Sequence, residues 1–122
     1  TCVLTYGPII SKAFTLKDRL EKKNHYLSIY SCSTLKPFDS GRLKKIFKKY
    51  KNIIIIEDHS IINGLTQIVK VEAFENKYLG KIIDFSLQDK FLNNYESQSA
   101  LQNTHGLSDK VIFNKTINRI LK

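Results

Sequence analysis

The 122 residues suit one domain, which would bury roughly two-thirds of the surface its unfolded chain exposes. An apolar share of 42% with 25% charged residues is ordinary for a globular chain, and no apolar run approaches the ~20 residues of a membrane-crossing helix. The formal charge of +9, from 20 basic against 11 acidic residues, favours anions in general, but no reader motif accompanies it, so neither nucleic acid nor membrane is an expected partner.

The chain opens on Thr1-Cys2-Val3-Leu4-Thr5, with no initiator methionine and no signal-peptide pattern. That start reads as a cut edge, so residues 1–122 are expected to be one domain excised from a longer chain. Val3 to Tyr6 form a short apolar strand. Gly7-Pro8 then starts a helix, with proline near the first turn where its missing N–H costs nothing. The helix is predicted to run to about Lys23, with Ile9, Ala13, Leu16 and Leu20 inward, flanked by Ile10 and Phe14. His25 to Cys32 reads as a strand and Thr34 to Asp39 as a turn. From Arg42 to Lys51, Leu43, Ile46, Phe47 and Tyr50 recur at i, i+3, i+4 and i+7, which makes a helix with its lysines on a solvated far face.

Asn52 to Glu57 is the third strand. Its run Ile53-Ile54-Ile55-Ile56 lacks polar alternation, as a central parallel strand covered by helices on both faces requires. Glu57 to Gly64 reads as a loop. Leu65 to about Asn76 follows as a helix with Leu65, Ile68, Val69 and Ala73 inward, and Lys81 to Ser86 as a fourth strand. After a polar loop over Gln88 to Asn94, a helix is predicted around Glu96 to Thr104, stopped by Gly106. A last helix starts at Ser108, a predicted N-cap, and carries Phe113, Ile117, Ile120 and Leu121.

Strands alternating with helices through short loops give an open α/β domain, three layers deep, with a parallel sheet. Its strand-to-helix loops gather on one edge, where ligand crevices of open sheets lie. Cys2 would begin one strand and Cys32 end its neighbour, on the order of 15 Å apart at ~3.3 Å per residue. A disulfide needs α-carbons within about 7 Å, so free thiols in a reducing, cytoplasmic setting are expected.

The strand-end edge carries Tyr6 and Gly7, then Glu57, Asp58, His59, Ser60, Asn63 and Gly64. Asn63-Gly64 before a helix offers backbone N–H groups and a positive dipole end to an anion, but a plain helix start explains them as well. His59 beside two carboxylates has the chemistry of an acid or base, and loop histidines also serve as caps. Glu57, ending a buried strand, calls for a salt bridge or a backbone partner. No phosphate loop, dinucleotide fingerprint, nucleophile elbow or metal spacing occurs.

The order of motifs "LTYGPIISKAF", "SCSTLKPFD", "NIIIIEDHSIINGL", "LQDKF" and "HGL" closely resembles the C-terminal domain of the transketolase family, which also includes deoxyxylulose-phosphate synthases and the beta subunits of 2-oxoacid dehydrogenases. The resemblance runs from Leu4 to about Leu121, and "TLKPFD" with "EDHSII" looks more like the transketolases than the synthases. It implies four parallel strands in the order 2-1-3-4, without the family's extra antiparallel edge strand. It also implies a dimeric parent enzyme that uses thiamine diphosphate and magnesium to move a two-carbon ketol unit between phosphosugars. Within it this domain would bind no cofactor and hold no catalytic residue. It would pack on the pyrimidine-binding domain and the dimer partner, with His59 and the edge residues near the entrance.

This chain departs from the family pattern at the helix opening, where Gly-Gly-Leu-Gly-Ser becomes Asn63-Gly64-Leu65-Thr66-Gln67 and a position kept small carries a threonine. The proline expected after Leu87 is Gln88, and a glycine is lost within Phe91 to Glu96. A free-standing regulatory module using the loop edge for a small anion or a protein partner is the alternative.

Overall fold

The computed structural model describes residues 1–32, 39–60, 64–87 and 106–121. Four strands, β1 (Cys2–Thr5), β2 (Ser28–Ser31), β3 (Asn52–Ser60) and β4 (Lys81–Leu87), form one all-parallel sheet in the order β2-β1-β3-β4. The helices are α1 (Ile10–Glu21), α2 (Ser40–Lys49), α3 (Leu65–Glu75) and α4 (Asp109–Ile120). The predicted Thr34 to Asp39 turn, except Asp39 itself, the Gln88 to Asn94 loop and the Glu96 to Thr104 helix lie outside the described residues.

Strand alternation divides the core in two. Val3, Ile54, Ile56, Ile83 and Phe85 face α1 and α4, against Ala13, Leu16, Leu20 and Ile112. Cys2, Leu4, Ile53 and Ile55 face α2 and α3, against Leu43, Ile46, Phe47, Leu65, Val69 and Ala73. All four isoleucines of β3 are completely buried, which is what a central strand with helices on both faces demands. The three-layer sandwich and the strand order are therefore as the sequence led us to expect.

Differences of extent have local causes. β2 begins at Ser28 rather than His25 because Asn24 and His25 close α1: Asn24 takes a left-handed φ of 61°, and the His25 N–H donates to the Leu20 carbonyl. In α3 it is Thr66, not Ile68, that is fully buried beside Leu65, Val69 and Ala73. The inward stripe of α4 centres on Ile112 and Thr116, with Phe113, Ile117 and Ile120 on its flanks. Leu121, expected on this helix, lies past its last turn as the C-cap and is 56% exposed. Ser108 caps α4 as predicted, its Oγ accepting from the Val111 N–H at 3.3 Å, and Asp39 caps α2 by accepting from Arg42. Cys2 and Cys32 are free thiols, as expected.

Candidate functional site

The stretch from Glu57 to Ser60 is strand, not loop. β3 pairs regularly with β4 from Asn52–Lys81 to Ile56–Phe85, and then Ser60 pairs with Leu87, so β3 carries two more residues than its partner over this interval. The bulge lets β3 run on past the end of β1 at Thr5. Bulges recur where a strand must re-aim its side chains near a site.

Glu57 is fully buried, and alternation places it on the same face as Ile53 and Ile55, the face that α3 covers. Its Oε2 accepts from the Leu65 N–H at 2.7 Å and its Oε1 from the Thr66 N–H at 3.0 Å. A helix begins with amides that have no partner within the helix, and its dipole makes that end positive, so a buried carboxylate there satisfies the amides and is itself stabilised. The backbone partner expected for Glu57 is thus two residues of the next helix. This pairing escaped the sequence reading, although an acid closing an apolar strand eight residues before a helix start was its available signal.

Tyr6, half-buried at the end of β1, joins this group. Burial pushes its phenol pKa up, and the charges of Glu57 and Asp58 push it further the same way. Gly7 follows with φ 75°, a backbone that glycine adopts without strain, and begins the entry turn of α1 through the Ile10 N–H to Gly7 carbonyl bond. Gly64 is buried at the N-cap of α3 with an extended backbone. His59 and Ser60 belong to β3 by backbone, and Asn63 lies outside the described residues. The edge therefore brings together Tyr6, Glu57, Asp58 and the first turn of α3. The Thr66 hydroxyl, fully buried beside the capping bonds, has no hydrogen-bond partner among the described residues.

The arrangement binds its own helix. Among the described residues no three His, Cys, Asp or Glu side chains are grouped to hold a metal ion, and no helix is long and apolar enough to cross a membrane.

Comparison with known proteins bears on the family and the fold. The family model described as "Transketolase, C-terminal domain" matches residues 1–112. Among curated proteins, the 1-deoxy-D-xylulose-5-phosphate synthase of Clostridium tetani is 24% identical over 115 residues, 94% of this chain and 18% of that protein. That of Listeria innocua is 28% identical over 120 residues, 98% and 19%. The chain thus spans about a fifth of the length of these relatives. A solved structure described as a split-gene transketolase in an inactive β4 tetramer superposes with a TM-score of 0.80 at 21% identity, covering 93% of this chain and 36% of that one. The transketolase of Campylobacter jejuni superposes at 0.61 with 14% identity, covering 96% and 16%. The two solved structures share the fold, and the family match over residues 1–112 shows that this chain belongs to the transketolase C-terminal domain family.

Proposed function

We propose that this chain is the C-terminal domain of a thiamine diphosphate-dependent enzyme of transketolase type that transfers a two-carbon ketol unit between phosphosugars. In that enzyme it packs on the pyrimidine-binding domain and the dimer partner, turns its strand-end edge toward the active-site entrance and leaves the cofactor to other domains. The family match and the small share of each relative that the chain spans support a place within a larger assembly.

The bond from Glu57 to the first turn of α3 carries the reading. A diphosphate docking at this helix start would find the Leu65 and Thr66 amides already taken and a buried carboxylate in its place, so the residues here do not fit the cofactor's diphosphate. What the edge offers instead is a braced rim: bulged β3, Tyr6, and a helix tied to the sheet. The outer sides of α1 and α3 expose Phe14 at 54%, Val71 at 54% and Phe74 at 82%, large apolar groups of the kind that domain packing covers.

The test is made on the complete polypeptide that carries these residues, joined by its cofactor-binding subunit where the two are encoded apart. Ketol transfer between phosphosugars that requires thiamine diphosphate is expected, with formation of 1-deoxy-D-xylulose 5-phosphate as the branch control. His59→Ala should raise KM for the phosphosugar with kcat little changed, and unchanged constants would remove His59 from the entrance. Cofactor binding that disappears with Glu57→Gln while the fold persists would contradict the assignment of the cofactor to other domains.

A further inference from the structure

A second feature lies at the opposite edge of the sheet. α3 begins at the strand-end edge and finishes at Glu75, with Asn76 as its C-cap, next to the starts of β3 and β4, and the second half of α2 ends there too. Between them is a cleft of about 400 Å³, within the size range of small-ligand pockets. Its lining is Lys44, Lys48 and Lys77 with Phe47, Asn76, Tyr78 and Leu79; the Glu72 carboxylate lies behind Asn76 and is engaged by the Asn76 amide at 3.4 Å and by the Ser40 hydroxyl at 2.9 Å. None of the three lysines forms an ion pair among the described residues.

The floor is rigid. The Phe47 and Tyr78 rings lie 4.8 Å apart between centroids, and the Tyr78 hydroxyl donates to the Tyr50 carbonyl at 2.9 Å. Gly80 leaves room for that ring: a Cβ there would run into the Tyr78 phenol and the Lys51 carbonyl. Lys77 closes α3 in a left-handed conformation, φ 53°, with its N–H on the Phe74 carbonyl and the Tyr78 N–H on the Ala73 carbonyl. Helix ends of this kind ordinarily use glycine or asparagine, so a lysine here holds a charge over the cleft against its own backbone preference. Leu79, 98% exposed, stands at the rim.

We propose that this cleft binds a small phosphorylated metabolite, with the phosphate among the Lys44, Lys48 and Lys77 ammonium groups and the carbon body on the Phe47–Tyr78 floor. Lysine acts as a compact point charge toward phosphate, and three of them, with no carboxylate among the lining side chains and Glu72 already engaged by Ser40 and Asn76, match a dianion. The site shares no residue with the strand-end edge and stands whether or not that edge guards an entrance.

The experiment titrates the purified protein with phenyl phosphate and with inorganic phosphate at physiological ionic strength, following backbone amide and lysine side-chain NMR signals. Saturable shifts centred on Lys44, Lys48 and Lys77 are expected, with phenyl phosphate the tighter ligand. Each exposed charge contact contributes up to about fivefold, so Lys77→Gly should weaken binding roughly three- to fivefold, and the triple change with Lys44→Ala and Lys48→Ala some fiftyfold. Lys77→Gly relaxes the backbone, so weaker binding with equal or higher melting temperature separates a ligand contact from a folding defect. Shifts scattered over all lysines, or equal losses in Lys22→Ala, would mean an adventitious ion only. Preference for duplex nucleic acid, with a steep salt dependence and shifts along Lys45 and Lys49, would also overturn the proposal.

Discussion

The Glu57 carboxylate and the Leu65 amide lie 2.7 Å apart, a buried residue at the start of the bulged interval of β3 bonded to the first residue of α3. With the second bond to Thr66, one side chain joins the central strand to the helix that covers it. Removing it leaves two buried amides without partners, and a buried unsatisfied group costs ~1–3 kcal/mol. Glu57→Ala should therefore lower unfolding stability by about 3 kcal/mol, and Glu57→Gln, which keeps one acceptor, by about 2 kcal/mol. Urea denaturation reads this directly. A loss below about 1 kcal/mol for the alanine variant would show that the amides find other partners.

The left-handed Lys77 makes an opposite prediction, that substitution stabilises. An L-residue in this conformation costs about 1–2 kcal/mol, while glycine loses ~0.5–1 kcal/mol more than other residues through its freer unfolded chain. Lys77→Gly should thus add about 0.5–1 kcal/mol. Asn24, at the equivalent position of α1 with φ 61°, should gain less from the same change, because asparagine tolerates this region. Thermal melts of the two variants side by side give the order, and a destabilised Lys77→Gly would sink the argument.

Much of the fold was legible because the signals were local and redundant. Four β-branched residues in a row at Ile53 to Ile56 cannot form an amphipathic element, so they required a covered strand, and the stripe Leu43, Ile46, Phe47 required a helix. The course of β3 beyond Glu57 was not legible, because a bulge depends on how much of β4 runs alongside, and no residue of "EDHS" announces it. The burial of Thr66 and Thr116 was hidden by counting threonine as polar, although its methyl group suits a core position. At the site, residue identities named Tyr6, Glu57 and Asp58 as neighbours on one edge, but the partner of Glu57 is backbone, which carries no residue signature. The basic cleft was likewise read as a solvated helix face, since its other wall comes from the turn after α3.

Gly80 has an ordinary backbone, so the demand for glycine there is purely steric. A methyl group would meet the Tyr78 phenol and the Lys51 carbonyl. Neither is free to yield: Tyr78 is held by the Tyr50 carbonyl, and the Lys51 carbonyl accepts from the Lys81 N–H at 2.8 Å where β4 begins. Overpacking of this kind typically costs 1–3 kcal/mol, and Gly80→Ala should lie near the upper end, at about 2–3 kcal/mol. The urea midpoint tests it. A variant as stable as the parent would mean that the Tyr78 ring rotates away at little cost, and the ring's NMR signals would report that movement.

Alkaline unfolding follows from two acids that the fold keeps neutral, the buried Cys2 thiol and the half-buried Tyr78 phenol. Burial raises the Cys2 thiol from 9.0 to about 12, against the opposing charges of the N-terminus and Lys49. Burial, and then the nearness of Cys2, raises the Tyr78 phenol from 10.0 to about 12. In both cases the native state keeps a proton that the unfolded chain releases. Their contribution to stability is therefore complete below pH 9, declines as pH rises toward 12, and is gone above it. One such group gives a slope of about 1.4 kcal/mol per pH unit while only the unfolded chain is ionised. Cys2→Ala should reduce the decline between pH 9 and 10, leaving the share of Cys32, whose thiol burial also raises from 9.0, and the part that begins at 10 with Tyr78. Tyr78→Phe should do the converse, keeping the early part and flattening the later one. Stability curves of the three proteins with the same slope throughout would show that neither group is held neutral by the core.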